Sequence, residues 1–282
     1  MSNQIVNLHP TLIFSDLDGT LIDHFNYTFA PAKDFLNDLK AKHIAVIPNT
    51  SKTFAEVIKH RSAMALDGPL IVENGAGVFI PINWLPHRPD DCIEENGFWK
   101  KSLAKSRTHW LTQIHALRAQ FPKSFEGFSE MNAARLCEVT GLSADDASLA
   151  LQRNYSEPLL WHDTAAQKQL FIEAAQAIGA RPLLGGRFLH ICGQSNKGAA
   201  MQWLADEVQR QYPDLAIRTI ALGDGGNDID MLEQANIAVR IASPAHDLPQ
   251  LKRTQGVYSS NAYGPEGWVE ALQHILTDET KG

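Results

Sequence analysis

Short apolar runs alternate with segments of helical periodicity along much of the chain. The runs that predict buried strands are residues 11–15, 44–48, 69–72, 219–223 and 237–241. Between them, apolar residues recur at helical spacing over residues 54–64 and 197–211. This alternation predicts an α/β fold whose core is a doubly wound, Rossmann-like parallel sheet with right-handed crossovers. Ligands bind such sheets at the carboxyl ends of the strands.

The middle of the chain differs, with longer helices and more loop residues. One predicted helix has a single apolar face, formed by Trp110, Leu111, Ile114 and Leu117. Another predicted helix covers residues 164–178 between two strand-like segments. A mixed α+β segment of this length predicts a second, smaller domain. The predicted domains are a discontinuous core over residues 1–83 and 190–282 and an inserted cap domain over residues 84–189.

Composition and charge narrow the classes of partner. Hydrophobic residues make up 44% and charged residues 20% of the 282 residues, which is ordinary for a globular protein. The net charge of -7 argues against a nucleic-acid or anionic-membrane surface, because both need clustered Lys and Arg. The first residues lack a secretory signal, and no apolar run approaches the ~18 residues of a spanning helix. We therefore expect a cytoplasmic protein with a small-molecule partner, and the sequence leaves its oligomeric state open.

The cysteines and histidines form no recognisable metal or thiol site. Cys92, Cys137 and Cys192 are odd in number and far apart, without a Cys-x-x-Cys pair. No two histidines have the i, i+4 spacing beside a carboxylate that zinc hydrolases use. The chemistry of this chain is therefore expected to depend on its acidic motifs.

Two acidic motifs follow apolar strands that are far apart in the sequence. Asp-Leu-Asp-Gly-Thr covers residues 16–20, and an extended backbone places the side chains of Asp16 and Asp18 on the same side. Gly-Asp-Gly-Gly-Asn-Asp covers residues 223–228 and arrives at the same edge of a parallel sheet. A solvated turn is the alternative for either motif, but two acidic motifs at strand ends favour one shared cation. Oxygen-only ligands favour Mg²⁺.

Two further segments complete a candidate phosphate site. Thr50 follows the second predicted strand, and Lys197 begins a helix after Ser195 and Asn196. A Thr hydroxyl and the first N–H groups of a helix can bind phosphoryl oxygens, and a Lys ammonium offsets negative charge. Taken alone, these residues are also compatible with a plain helix cap and a surface lysine.

The order of the four segments resembles the haloacid dehalogenase superfamily over the whole chain. That superfamily carries Asp-x-Asp-Gly-Thr, a Thr loop, a Lys and Gly-Asp-x-x-Asn-Asp, here at Asp16, Thr50, Lys197 and Asp224. The long insert before Lys197 is similar to the cap of the Cof-like sugar-phosphatase branch. Additional motifs resemble the mannosyl-3-phosphoglycerate phosphatases. They are residues 49–53 with Val57, 73–76, Arg153 with 155–158, 185–188 and 264–268.

The resemblance implies a catalytic role for several motif residues. Asp16 would be the nucleophile that forms an aspartyl-phosphate. Asp18 would act as general acid and then as general base. Thr50 and Lys197 would bind the transferring phosphoryl group.

The same resemblance implies a magnesium site. Asp16, the backbone carbonyl of Asp18 and Asp224 would hold Mg²⁺, with waters and a phosphate oxygen as the other ligands. Asp228 would lie just outside the metal ligands. Asn227 would contact either the metal-bound waters or the phosphate.

Residues outside the four motifs are candidates for binding the rest of the substrate. Glu73 and Asn74 follow the third predicted strand and are placed to meet a polar substrate. Arg153 and Arg187 can grip a carboxylate, although each is also compatible with a surface ion pair. Lys52 stands where the wider sugar-phosphatase branch has the Arg of Thr-Gly-Arg, which favours the narrower subgroup.

These inferences predict a Mg²⁺-dependent phosphatase acting on a phosphorylated sugar. The resemblance implies mannosyl-3-phosphoglycerate as the substrate, with mannosylglycerate and phosphate as products. A broad-range hexose-phosphate phosphatase or a glucosyl-3-phosphoglycerate phosphatase is the nearest alternative, which a substrate panel would distinguish. A non-catalytic sugar-phosphate-binding protein is the alternative from another class, and it would bind ligand without releasing phosphate.

Overall fold

The computed structural model describes residues 8–184 and 187–278 of the chain. The strands are β1 (Thr11–Ser15), β2 (Ala45–Pro48), β3 (Leu70–Val72), β4 (Gly77–Pro81), β5 (Ile93–Glu95), β6 (Phe98–Ser102), β7 (Phe125–Gly127), β8 (Glu157–Trp161), β9 (Arg181–Leu184), β10 (Phe188–Cys192), β11 (Arg218–Gly223), β12 (Ile237–Ala242) and β13 (Val257–Tyr263). The helices are α1 (Lys33–Ala41), α2 (Phe54–Ala63), α3 (Arg107–Leu117), α4 (Ala133–Thr140), α5 (Ala144–Ala150), α6 (Ala165–Ala177), α7 (Lys197–Gln211), α8 (Ile229–Gln234) and α9 (Gly264–Asp278). Among the described helices, none combines the length and the apolar character that crossing a membrane requires.

A five-stranded sheet in the order β13-β12-β11-β1-β2 carries the predicted functional motifs, and all its strand pairs are parallel. β1 lies between β2 and β11, and all five of its residues are buried, which explains the apolar run at its centre. One parallel bridge from Asn49 to Ile71 leads from β2 toward β3. The prediction of an α/β fold with a parallel core sheet is confirmed.

The described chain forms two compact units. The first unit takes the described residues within Met1–Ser51, His60–Lys101 and Asn196–Gly282, and the second takes Lys52–Lys59 with Ser102–Ser195. Residues 84–101, predicted as part of the cap, group with the first unit because β5 pairs with β6 and β6 with β4. Residues 52–59, predicted as core, group with the second unit because Thr53 Oγ1 donates to the Leu149 carbonyl and Lys59 pairs with Asp146.

The second unit contains an antiparallel sheet in the order β7-β8-β10-β9. Helices α3 and α6 contribute to a hydrophobic core that includes Trp110, Ile114 and Phe171. Three residues of the predicted apolar helical face, Trp110, Ile114 and Leu117, belong to this core, whereas Leu111 is only half-buried. A smaller cluster around Leu136 and Ala147 joins α4 and α5. The mixed α+β character expected of the middle of the chain is therefore present in this unit.

Replacing Phe171 by Ala tests how much the second unit depends on this core. The ring is fully buried against Phe121, Phe125 and Trp161, so we expect a loss of about 3–5 kcal/mol in the free energy of unfolding by urea. The matched control is Leu170→Ala at the preceding position, where Leu170 is 51% exposed and the loss should stay within about 0.5 kcal/mol. Similar losses in both variants would contradict this view of the core.

Candidate active site

Asp16 follows β1 directly and is held against the neighbouring strand of the parallel sheet. Its backbone N–H donates to the Leu222 carbonyl of β11 over 2.9 Å. The chain then turns sharply, because the N–H of Ile22 donates to the carbonyl of Leu17. Gly19 has φ +75, and a Cβ there would lie 2.4 Å from Asp224 Oδ2. Glycine at this position therefore allows the turn to approach the second acidic motif closely.

Asp224 and Asp228 come from the loop after β11. Thr20 Oγ1 donates to Asp224 Oδ1 over 3.2 Å, so the two acidic loops contact each other directly. A short 3₁₀ turn covers Gly226–Asp228, and the Gly225 N–H donates to Asp228 Oδ2 over 2.9 Å. This turn brings the side chain of Asp228 back into the site, where it is fully buried.

Lys197 is the first residue of α7, and its side chain is fully buried between two carboxylates. Its Nζ lies 2.8 Å from Asp16 Oδ1 and 2.6 Å from Asp228 Oδ1. The start of the helix is fixed from two sides: Asn196 Oδ1 accepts the N–H of Ala199, and Asn49 Nδ2 donates to the Lys197 carbonyl. The start of α7 therefore contains both the predicted N-cap, Asn196, and the lysine predicted to be functional, Lys197.

Burial and like charge disfavour ionisation of the carboxyl groups. Burial and the negative charge of Asp228 together raise the pKa of Asp16 to about 7, although Lys197 opposes the change. Burial and the neighbouring Asp16 raise the pKa of Asp224 to about 6, and burial also raises the pKa of Asp228. Burial by itself would lower the pKa of Lys197, but Asp16 and Asp228 raise it above its usual value, so the ammonium stays charged.

Asp16, Asp224 and Asp228 could hold a metal ion together. One carboxylate oxygen from each lies within 4.8 Å of the others. Hard oxygen donors suit Mg²⁺, and a divalent cation would relieve the repulsion that raises their pKa values. The donor set therefore fits the magnesium ion expected from the sequence.

Asp228 joins Asp16 and Asp224 in this carboxylate group, although the resemblance places it just outside the metal ligands. Within the described part of the chain the group does not contain the side chain of Asp18, from which only the backbone carbonyl is expected as a ligand. The i, i+2 rule holds only for extended backbone, and β1 ends at Ser15. Asp228 enters the group because the 3₁₀ turn folds it back.

The turn after β3 brings two predicted substrate residues beside Thr50. Glu73 and Asn74 both have positive φ, and the Asn74 N–H donates to the Thr50 carbonyl over 2.9 Å. Asn227 Nδ2 donates to Asn74 Oδ1 over 3.2 Å, which joins this turn to the second acidic loop. Asn adopts left-handed backbone readily, but Glu is strained there, and such strain is typical of functional turns.

Three predicted substrate residues belong to the second unit. Arg153 is buried, and its Nε donates to Ser156 Oγ over 2.9 Å. Arg187 is exposed, and its Nη1 donates to the Val139 carbonyl over 2.6 Å. Lys52 Nζ lies 3.9 Å from Glu56, one helical turn along the chain. Gly185 and Gly186, which belong to the motif before Phe188, lie outside the described residues.

Sequence reasoning did not identify one residue of the site, His246, and assigned no role of its own to another, Asn49. His246 Nε2 lies 3.3 Å from Asp224 Oδ2, and nothing in its surrounding sequence indicates this contact. It follows β12, the neighbour of β11 in the sheet, and only the strand order could have suggested it. Asn49 holds the start of α7, and its position next to Thr50 at the end of β2 was the available signal.

Two family models match separate parts of the chain. The model of haloacid dehalogenase-like hydrolases matches residues 13–98, and the model of sucrose-6F-phosphate phosphohydrolase matches residues 154–275. A sucrose-phosphatase structure from Synechocystis sp. PCC6803, in complex with sucrose and phosphate, has a TM-score of 0.60 at 17% identity. It covers 95% of this chain and 98% of its own. This likeness shows a shared fold.

Two relatives match the chain over nearly its whole length, and both are named glucosyl-3-phosphoglycerate/mannosyl-3-phosphoglycerate phosphatase. The relative from Persephonella marina is 32% identical over 272 residues, covering 96% of this chain and 99% of that protein. The relative from Methanococcoides burtonii is 32% identical over 271 residues, covering 94% of this chain and 97% of that protein. With these matches and the family model, the chain belongs to the haloacid dehalogenase-like hydrolases and is a phosphatase.

Proposed function

We propose that the chain is a Mg²⁺-dependent phosphomonoester hydrolase that forms an aspartyl-phosphate on Asp16. Its proposed reaction converts mannosyl-3-phosphoglycerate into mannosylglycerate and phosphate. The observation that carries the proposal is the buried Lys197 ammonium, 2.8 Å from the Asp16 carboxylate at the carboxyl end of β1. The names of the two relatives support a glycosylated 3-phosphoglycerate as the substrate class.

Mg²⁺ would be held by the carboxylates of Asp16, Asp224 and Asp228 and by the backbone carbonyl of Asp18. It would supply positive charge that offsets the charge of the phosphate. Lys197 directs two of its three N–H donors at Asp16 and Asp228, and the third serves a phosphoryl oxygen. The same ammonium lowers the repulsion between the Asp16 carboxylate and the phosphate dianion. Both anions can then approach each other.

In the first step the Asp16 carboxylate attacks phosphorus, and the bond from phosphorus to the glycerate oxygen breaks. Asp18 donates its proton to the departing alkoxide. In the second step Asp18 takes a proton from water, whose oxygen attacks the phosphorus of the aspartyl-phosphate. Phosphate leaves and Asp16 returns as a carboxylate. Thr50 and Asn227 would bind the phosphoryl oxygens throughout.

Residues beyond the phosphate would select the substrate. Glu73 and Asn74, in the turn that contacts Thr50, are proposed to bind sugar hydroxyls. Arg153 and Arg187 remain proposals for binding the glycerate carboxylate, because a guanidinium group suits it. Lys52 is proposed as a further substrate-binding residue. A phosphorylated sugar without glycerate is the second candidate substrate, which the match of residues 154–275 to sucrose-6F-phosphate phosphohydrolase supports.

A substrate panel tests this proposal. Purified protein with Mg²⁺ should release phosphate from mannosyl-3-phosphoglycerate and glucosyl-3-phosphoglycerate faster than from hexose phosphates or sucrose-6-phosphate. Asp16→Asn should release none, because an amide cannot serve as the nucleophile. A preference for hexose phosphates would contradict the substrate, and phosphate release by the variant would contradict the nucleophile.

Asp18→Asn should slow turnover by about 10²–10⁴-fold, since the amide can neither donate the proton to the alkoxide nor accept one from water. Steady-state phosphate release measures the loss, and single-turnover quenching separates formation of the phosphoenzyme from its hydrolysis. The control is Asp38→Asn, an exposed carboxylate on α1, which should keep wild-type turnover. A variant at Asp18 that turns over normally would exclude the general acid role.

Asp224→Asn tests the charge balance through the dependence of stability on pH. Without Mg²⁺, the folded protein holds the Asp224 proton with a pKa of about 6, against 3.8 as the usual value, so deprotonation favours unfolding. The wild type should therefore lose stability relative to the variant as pH rises from about 4 to about 6, at up to about 1.4 kcal/mol per pH unit. Urea unfolding at pH 4.5 and pH 7 measures this difference.

Saturating Mg²⁺ at pH 7 should stabilise the wild type and have much less effect on Asp224→Asn, because the variant lacks one carboxylate ligand. EDTA provides the metal-free reference for each protein. A stability difference that is the same at both pH values, or equal stabilisation of both proteins by Mg²⁺, would contradict the role given to Asp224.

A further inference from the structure

The Gly-Pro-Glu-Gly-Trp segment at residues 264–268 has no place in the proposed mechanism, although it forms the start of α9. Gly267 lies tightly against the preceding strand, β13. A Cβ at Gly267 would be 2.2 Å from the Ala262 carbonyl oxygen and 2.7 Å from Ser260 Oγ. Glycine therefore allows the first turn of the helix to pack closely on the strand, which sets the position of Trp268.

Trp268 is fully buried, and its indole reaches the strand that carries the nucleophile. Its Nε1–H donates to Ser15 Oγ over 3.0 Å, joining residues 253 positions apart in the sequence. The Phe35 ring packs on the indole edge to face, with 6.1 Å between the ring centroids. The indole is thus fixed by one directional bond and by close packing.

Ser15 passes this constraint to the backbone of Asp16. The Ser15 hydroxyl donates to the Asp16 carbonyl oxygen over 2.6 Å. An indole N–H can only donate, so Ser15 Oγ must accept from Trp268 and its own hydrogen is directed elsewhere. Two buried hydrogen bonds therefore run in series from Trp268 to the carbonyl of Asp16.

The Asp16 backbone is consequently held at both of its polar groups. Its N–H donates to the Leu222 carbonyl of β11, and its carbonyl accepts from Ser15. Attack on phosphorus requires the carboxylate to lie in line with the leaving oxygen, and small displacements of a reacting group reduce rate steeply. The polarised Ser15 hydroxyl fixes one side of this residue.

We propose that Trp268 is a positioning residue for Asp16 and acts through Ser15. The inference rests on the proposed function, in which Asp16 is the nucleophile. Without the indole donor, the Ser15 hydroxyl is free to rotate away from the Asp16 carbonyl. The carboxylate then samples more orientations, and fewer of them allow attack.

Trp268→Phe removes the donor and should lower kcat by roughly 10- to 100-fold while leaving KM for the best substrate of the panel nearly unchanged. Trp110→Phe is the matched control. Trp110 is a buried tryptophan of the second unit that is 2% exposed, and its Nε1 has no hydrogen-bond partner within the described residues. This control makes the same reduction in side-chain volume, from Trp to Phe, and should keep the wild-type kcat.

Ser15→Ala breaks the same series of bonds with a smaller loss of volume and should lower kcat similarly. Since both changes interrupt one path, the double variant Ser15→Ala, Trp268→Phe should be about as slow as either single variant. Replacing Trp268 by benzothienylalanine, which keeps the ring shape and has sulfur in place of N–H, tests the donor if Trp268→Phe folds poorly.

Three results would overturn the inference while phosphatase turnover by the wild type persists. They are a kcat for Trp268→Phe equal to that of Trp110→Phe, losses that multiply in the double variant, and a change confined to KM. If the wild type hydrolyses none of the phosphate esters, the proposed function fails and the inference falls with it.

Discussion

A buried ammonium between two buried carboxylates ties together the elements of this site. Lys197 contacts Asp16 after β1 and Asp228 after β11, so α7 and two strands of the parallel sheet are joined at one nitrogen. Buried charges are tolerated only when they are paired. Three carboxylates against one ammonium give a formal charge of about −2 at full ionisation, which is what a divalent cation balances.

Around this network, turns of the backbone lie so close to neighbouring residues that a side chain with a Cβ would not fit. A Cβ at Gly75 would lie 2.1 Å from the Asn196 carbonyl oxygen, so the turn after β3 packs directly on the residue that caps α7. The turn after β1 makes a similar approach to Asp224 at Gly19. The parallel sheet brings strand ends to one edge, and glycines reduce the remaining gaps to hydrogen-bonding distance.

The sequence predicted the parts of this molecule whose signals are local. The buried run of β1 and the helical spacing of α7 follow from periodicity, and the motif order identified Asp16, Thr50, Lys197 and Asp224. The position of the Asp228 side chain depends on a short 3₁₀ turn, which the spacing of hydrophobic residues does not predict. Strand β5 was missed because its residues are not buried and do not alternate in hydrophobicity, although its pairing with β6 extends the first unit.

Helix α9 has a consequence for the synthesis of the protein. Trp268 emerges from the ribosome long after Ser15, because 253 positions separate them, and the strand carrying Asp16 is made without its indole partner. Strands β11 and β12 are also late, so β1 can pair only with β2 until most of the chain exists. The carboxylate cluster of Asp16, Asp224 and Asp228 therefore cannot assemble before the loop after β11 has been synthesised.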